Sequence, residues 1–410
     1  MAGQGEAKKN TTQRKSRAGK GSSPTGAAAA FASLPAEAFF ASGPGAPLQH
    51  VYMYGRVSQD SLRKLRADID AACRGGVDDA GNEVAPRPIV LHINSPGGNA
   101  MAGISMMSVF SETRVPICAC VDGISASAAT FLSVLAPYRV MAAGATCLVH
   151  DYASFMLGKR EDLLFEVSVV GEALTDTIKR MYLRRSRLTP SQLDELMQRD
   201  LLLDAGRCLR SGLCDRVLEA QPSAAARKAP SLPLAVALRK TNLNHVRFEC
   251  GDVDDYALGV AQRLDALLGA QMLKPVVLHA DGMACLGSVT DHVVPTAQRV
   301  ACLSSLTETY GVIDTHVDLV NVLPLLHCRQ RVMYSHAAVR VHMVYEQGFG
   351  WMLRDAVANT DLMLDLVRTM LRARTHAPAE LVDGLDRRRF LLSAADCLRY
   401  GLVDTVIDGA

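Results

Sequence analysis

The chain has 410 residues, 49% of them hydrophobic and 21% charged, with a net charge of +2. That length exceeds one ordinary core and suits two, and the composition excludes a disordered chain. The near-neutral balance argues against nucleic acid and membrane surfaces as partners, and no stretch has the roughly 20 uninterrupted apolar residues of a membrane span. The 11 cysteines are scattered and include no C-x-x-C pair. Buried free thiols in a reducing compartment are therefore expected, rather than a disulfide framework or a metal site. The expected location is the cytoplasm or an organellar matrix, not the exterior.

Residues 1–46 stand apart. Residues 8–20 are basic and polar, and residues 26–32 are small and Ala-rich. This reads as a solvated tail or an organelle transit segment. A short strand then ends at Gly55, and residues 58–73 carry apolar side chains at helical spacing. Residues 88–93 form a fully apolar strand of the kind buried on both faces. A helix over 102–110, a strand near 115–121 and a helix from about Ser127 continue the pattern. An apolar strand over 146–149, a long helix over about 163–184, and a helix and strand within 205–218 complete it. Such alternation predicts an α/β fold with mainly parallel strands.

The plan then repeats. Residues 205–215 and 394–404 share the frame A-x-x-C-L-R-x-G-L-x-D. Residues 54–57, 89–92, 139–141 and 149–150 correspond in order to 250–253, 276–279, 331–333 and 341–342. Between the copies, residues 221–240 are rich in Ala, Pro and Ser, which is linker composition. The chain reads as two tandem domains, 47–220 and 243–410, joined by a linker over 221–242.

Three elements of the first copy carry chemistry. Asn94-Ser95-Pro96-Gly97-Gly98 follows a buried strand and precedes a helix, so its turn bares backbone N–H groups that can hold a negative oxygen. Ser127 sits among small residues in Asp122-Gly123-Ile124-Ser125-Ala126-Ser127-Ala128-Ala129, with its hydroxyl open at a helix start. His150 ends an apolar strand and can take a proton from a hydroxyl near neutral pH. Each alone fits a bland role: a strand-to-helix turn, an N-cap serine, a structural histidine. Their combination is specific.

With these three in order, residues 51–219 resemble the proteolytic subunit family of the Clp protease, and residues 246–407 resemble it in degraded form. Residues 152–159 resemble divergent Clp-like peptidases of large DNA viruses and eukaryotes. The resemblance implies the spiral ββα fold shared with crotonases, self-assembly into a ring, and hydrolysis of unfolded polypeptides as a serine endopeptidase. It assigns Ser127 as nucleophile and His150 as general base. The backbone N–H groups of Gly98 and Ala128 form the oxyanion hole, with Gly97 beside the substrate. The acid departs from the pattern: counted back from Gly212-Leu213, its position falls on Leu196, with Asp200 the next candidate and adjacent Asp151 a weaker one. A carboxylate within about 3.2 Å of the His150 nitrogen facing away from Ser127 would complete a triad. No cofactor is expected. No G-x-x-x-x-G-K-[ST] loop is present, so any ATP use belongs to a partner, an AAA+ unfoldase on the resemblance.

The second copy has lost these features. Asp281-Gly282-Met283-Ala284-Cys285 replaces the glycine turn, Leu319 replaces Ser127, and His342 remains without a serine. It reads as a catalytically dead scaffold, with Cys285 and Ser335 as remaining nucleophile candidates and Leu385 or Asp386 near the acid position. The runner-up for the whole chain is a non-catalytic assembly or adaptor subunit. A crotonase-type acyl-CoA enzyme is disfavoured, because that chemistry has no use for a Ser127–His150 pair.

Overall fold

The computed structural model describes residues 26–43, 45–77, 83–151, 159–160, 166–219, 243–248, 253–270, 273–280, 292–341, 353–387 and 389–408. In the first half, besides a two-residue antiparallel pair at Gly76–Val77 and Glu83–Val84, the strands are β1 (Gln49–Tyr54), β2 (Ile89–Ser95), β3 (Ile117–Ala126), β4 (Tyr138–Ala142), β5 (Thr146–Leu148), β6 (Leu202–Asp204) and β7 (Arg216–Leu218). A parallel sheet runs β1-β2-β3-β4-β7, covered on both sides. Every residue of β2 is buried, which is why its first residues, Ile89–Leu91, are apolar without alternation. The long β3 outlasts β2 and pairs at its far end with β5, which pairs antiparallel with β6.

The second half holds β8 (Asn244–Phe248), β9 (Val276–Ala280), β10 (Thr309–Ile313), β11 (Val317–Asp318), β12 (Gln330–Tyr334), β13 (Ala338–Val341), β14 (Phe390–Ser393) and β15 (Thr405–Ile407). Its parallel sheet runs β8-β9-β10-β12-β15, beside a small sheet β11-β13-β14. One side-chain clamp recurs in both halves. Arg139 on β4 donates twice to the Asp215 carboxylate and once to the Gly212 carbonyl, the latter at 2.9 Å. Arg331 on β12 does the same with Asp404 and the Gly401 carbonyl. The aspartate ending the shared sequence frame is thus the bidentate partner of a strand arginine.

Helices begin where side-chain caps replace missing backbone partners. After α1 (Gly26–Ala32), α2 (Gln59–Arg74) starts at Ser58, whose hydroxyl accepts from the Ser61 N–H. Its Leu62, Leu65 and Ile69 form one buried face. The helix expected over 102–110 is two pieces, α3 (Ala100–Met106) and a turn at Val109–Glu112. Of the long helix expected over 163–184, the described part is a wide helical turn at Glu166–Gly171 that continues as α4 (Glu172–Arg185), and residues 161–165 lie outside the described residues.

The reading of residues 1–46 as a solvated tail or transit segment is corrected for its last part. Phe31, Phe39 and Phe40 are fully buried, Leu48 nearly so, and Arg216 donates to the Leu34 carbonyl at 2.7 Å. Averaged composition hid these aromatic anchors among alanines. Residues 1–25 lie outside the described residues, as do the linker 221–242 and the blocks 250–252, 281–285 and 342. All nine described cysteines are free thiols, eight of them buried.

The halves meet on a buried charge cluster. Arg299, on α6 (Val294–Leu306) after α5 (Val253–Leu268), has no solvent exposure. It donates to Asp265 at 2.7 and 3.0 Å and to Asp122 of the first half at 2.9 Å. Tyr52 donates to Asp265 at 2.8 Å and Tyr54 to Asp122 at 2.6 Å. His92 faces Asp122 at 2.9 Å, and the Phe40 ring lies 4.9 Å from the guanidinium. Burial pushes both carboxyls up. At Asp122 the guanidinium and His92 outweigh burial and hold the group below the carboxylate range, whereas at Asp265 burial prevails. Burial, reinforced by His92, pushes the His50 imidazole down to about 3. Two sets of potential metal ligands, His50–His92–Asp265 and His92–Cys120–Asp122, fall inside this cluster. Their carboxylates already face Arg299, so the cluster is read as a neutralised ion network.

Removing one member of a buried ion network strands the others. Arg299→Ala is expected to lower the unfolding free energy by about 3–5 kcal/mol in urea denaturation. A loss below about 1 kcal/mol would show that the cluster does not hold the halves together.

Candidate active site

Three strand ends converge at one edge of the first sheet. β2 ends at Ser95 and the chain turns through Gly97 and Gly98, both at positive φ (+89° and +149°). A Cβ at Gly97 would sit 2.5 Å from the Ala126 carbonyl oxygen and 2.6 Å from the Ser127 Cβ. One at Gly98 would sit 2.4 Å from the Val57 carbonyl oxygen. Only glycine fits either place. The turn is laced to Val57, whose N–H donates to the Gly97 carbonyl and whose carbonyl accepts from the Asn99 N–H, both at 2.9 Å.

Ser127 follows β3 directly, as the first residue of a short turn of helix over Ser127–Ala129. Its φ is +53°, the one positive value at a non-glycine among the described residues. Such a conformation costs about 1–3 kcal/mol and persists only where the surroundings impose it. Here Thr130 donates to the Ser127 carbonyl at 2.5 Å, and its hydroxyl also bonds the buried Tyr182 phenol of α4. Burial pushes that phenol far above its usual range, so it keeps its proton. Sequence reasoning missed Thr130 and Tyr182, although Thr130 stands three residues after the serine, where a back-bonding hydroxyl is common.

His150 lies just past β5. Its Nε2 is 2.7 Å from the Ser127 Oγ. Its Nδ1 is 3.4 Å from Oδ1 of Asp200, in the loop before β6. That contact is within ion-pair reach but longer than the roughly 3.2 Å of a hydrogen bond that would complete a triad. Leu196 is half-buried against the first core. Asp151 is exposed, accepts from the Thr175 hydroxyl at 2.6 Å and donates its N–H to the Met197 carbonyl. The carboxylate brought to His150 is therefore that of Asp200. Counting along the loop to Leu196 misplaced the position, because β6 sits antiparallel against β5 and carries residue 200 to the histidine.

The Gly98 and Ala128 N–H groups stand on the two turns that meet beside Ser127; the Ala128 nitrogen would lie 3.2 Å from a Cβ at Gly97. Among the described residues neither N–H donates to a protein acceptor. In the second half, Leu319 is buried and the preceding Asp318 is paired with Arg340 at 2.5 Å. A buried leucine beside a closed ion pair offers no nucleophile there. Asp386 pairs with Arg368 at 3.5 Å, and Leu385 is buried. Cys285, His342 and residues 152–158 lie outside the described residues.

The sequence around this site matches known proteins. Residues 80–221 match the family model described as Clp protease, a span that holds Asn94–Gly98, Ser127, His150 and Asp200. Over 181 residues the chain is 29% identical to the ATP-dependent Clp protease proteolytic subunit 2 of Leifsonia xyli subsp. xyli, covering 40% of this chain and 81% of that protein. The likeness to the Clp protease family thus covers the segment that carries the site. Among the described residues no helix is long and apolar enough to cross a membrane.

The crowding at Gly97 makes a direct prediction. Gly97→Ala must displace the Ala126–Ser127 backbone and adopt an unfavourable φ, at an expected cost of about 1–3 kcal/mol in unfolding free energy. Thermal unfolding of the variant against the parent protein reads this loss.

Proposed function

We propose that the chain is a Clp-type serine endopeptidase with Ser127 as nucleophile, His150 as general base and Asp200 as the acid that orients it. The observation that carries this is the pair of contacts Ser127 Oγ–His150 Nε2 at 2.7 Å and His150 Nδ1–Asp200 Oδ1 at 3.4 Å. His150 takes the serine proton as Oγ attacks a peptide carbonyl, and returns it to the departing amine. The developing oxyanion is received by the Gly98 and Ala128 N–H groups, which carry no competing bond among the described residues. Asp200 holds the imidazole in the tautomer with its proton on Nδ1 and stabilises its charged form. Gly97, packed closely against Ala126 and Ser127, is on this reading the residue beside the substrate.

On this reading the substrates are unfolded polypeptides, delivered by a separate AAA+ unfoldase. The matching sheet orders and the repeated arginine clamp support a tandem pair, with the second copy contributing contact surface within a ring. A strict monomer by mass measurement at working concentration would refute that assembly.

Reaction with a serine-directed fluorophosphonate tests the site. The parent protein is expected to label on Ser127 and Ser127→Ala not at all; labelling that survives the substitution refutes the assignment. Asp200→Asn is expected to lower kcat on a peptide substrate by up to about 10⁴ while leaving the serine in place.

A further inference from the structure

The acid side of this site is held from the other half of the chain. Asp355 and Asn359 stand one turn apart on one face of the helix α7 (Leu353–Arg374). Asp355 Oδ2 accepts from the Asp200 N–H at 3.0 Å, and its Oδ1 accepts from Arg199 at 2.6 and 3.1 Å. Asn359 donates to the Asp200 carbonyl at 2.8 Å and accepts from the Leu202 N–H at 2.8 Å. Both backbone groups of Asp200 therefore end on side chains from more than 150 residues downstream.

The carboxylate of Asp200 has no comparable hold of its own. Its Oδ1 faces His150 at 3.4 Å, and its buried Oδ2 has no hydrogen-bond partner among the described residues. Its place opposite His150 is set by its backbone, and its backbone is set by α7. We propose that Asp355 and Asn359 are positioning residues of the peptidase site, acting through Asp200. The proposal rests on the peptidase reading above. The second half then has a definite role, because it presents the acid to a site that it does not itself contain.

The two clamp residues differ in weight. The Arg199 side chain is 46% exposed, so its ion pair with Asp355 is screened by water. Asn359 is 6% exposed, and water cannot readily replace its two bonds to the backbone. Asn359 is thus the stronger determinant. A displacement of about 1 Å at a catalytic group can cost about 10²-fold in rate.

A double-mutant cycle on the full chain separates positioning from general cohesion of the halves. With a short fluorogenic peptide as substrate, Asn359→Ala is expected to lower kcat by about 10–100-fold with KM nearly unchanged. In an Asp200→Ala background the same substitution is expected to change kcat by less than about two-fold, because the group it acts through is gone. Hydrogen exchange over residues 199–204 should quicken in Asn359→Ala. Asp355→Asn, which keeps an acceptor for the Asp200 N–H, should retain more rate than Asp355→Ala and serves if Asn359→Ala fails to fold. Equal losses in both backgrounds, or no loss in either, would overturn the positioning role while leaving the peptidase reading intact. Absence of turnover and of serine labelling in the parent protein would overturn both.

Discussion

A guanidinium shut away from water must be neutralised by its neighbours, and Arg299 meets this demand with carboxylates from both halves of the chain. Asp265 shares its own half, and Asp122 ends the apolar part of β3 in the other. The tyrosines and histidines of β1 and β2 fill in around these groups, and the Phe40 ring packs over the guanidinium. Such a cluster tolerates little sliding, because any shift leaves a charge without its partner. The halves therefore meet in one register. That register is also what brings α7 against the loop before β6, so the burial of one arginine and the placement of Asp200 belong to one arrangement.

The local geometry of the site follows from parallel strands that finish at different lengths. β2 stops at Ser95 and must turn at once, and the neighbouring β3 leaves space there for glycine alone. β3 runs on to Ala126 and passes into a helical turn with Ser127 at positive φ. β5 pairs with that extension and delivers His150 at hydrogen-bond distance. Three consecutive facts of backbone pairing thus bring together a hydroxyl, an imidazole and two N–H groups that have no protein acceptor among the described residues.

Much of this was legible in the sequence. β2 and β3 declare themselves by the non-alternating apolar stretches Ile89–Leu91 and Ile117–Val121, because strands covered on both faces have no reason to alternate. Ser127 and His150 were legible because small residues and a strand end surround them in a recognisable order. Asp200 was legible only as one of two candidate carboxylates: distance along a loop does not reveal which residue an antiparallel partner carries back to the histidine. The strap over residues 30–46 was misread because a few phenylalanines among many alanines scarcely change the composition, yet they decide the burial. Asp355, Asn359 and Arg299 were not legible at all. Each acts across more than 150 residues of chain, and each looks locally like an ordinary polar residue on a helix.

The central claim is that Ser127 and His150 act as one catalytic pair. A peptidyl chloromethyl ketone tests it, because the serine must first add to the ketone before the adjacent imidazole is alkylated. Peptide mapping by mass spectrometry locates the adduct. The account predicts modification of His150, lost when Ser127 is replaced by alanine. An adduct elsewhere, or on His150 regardless of Ser127, would contradict it.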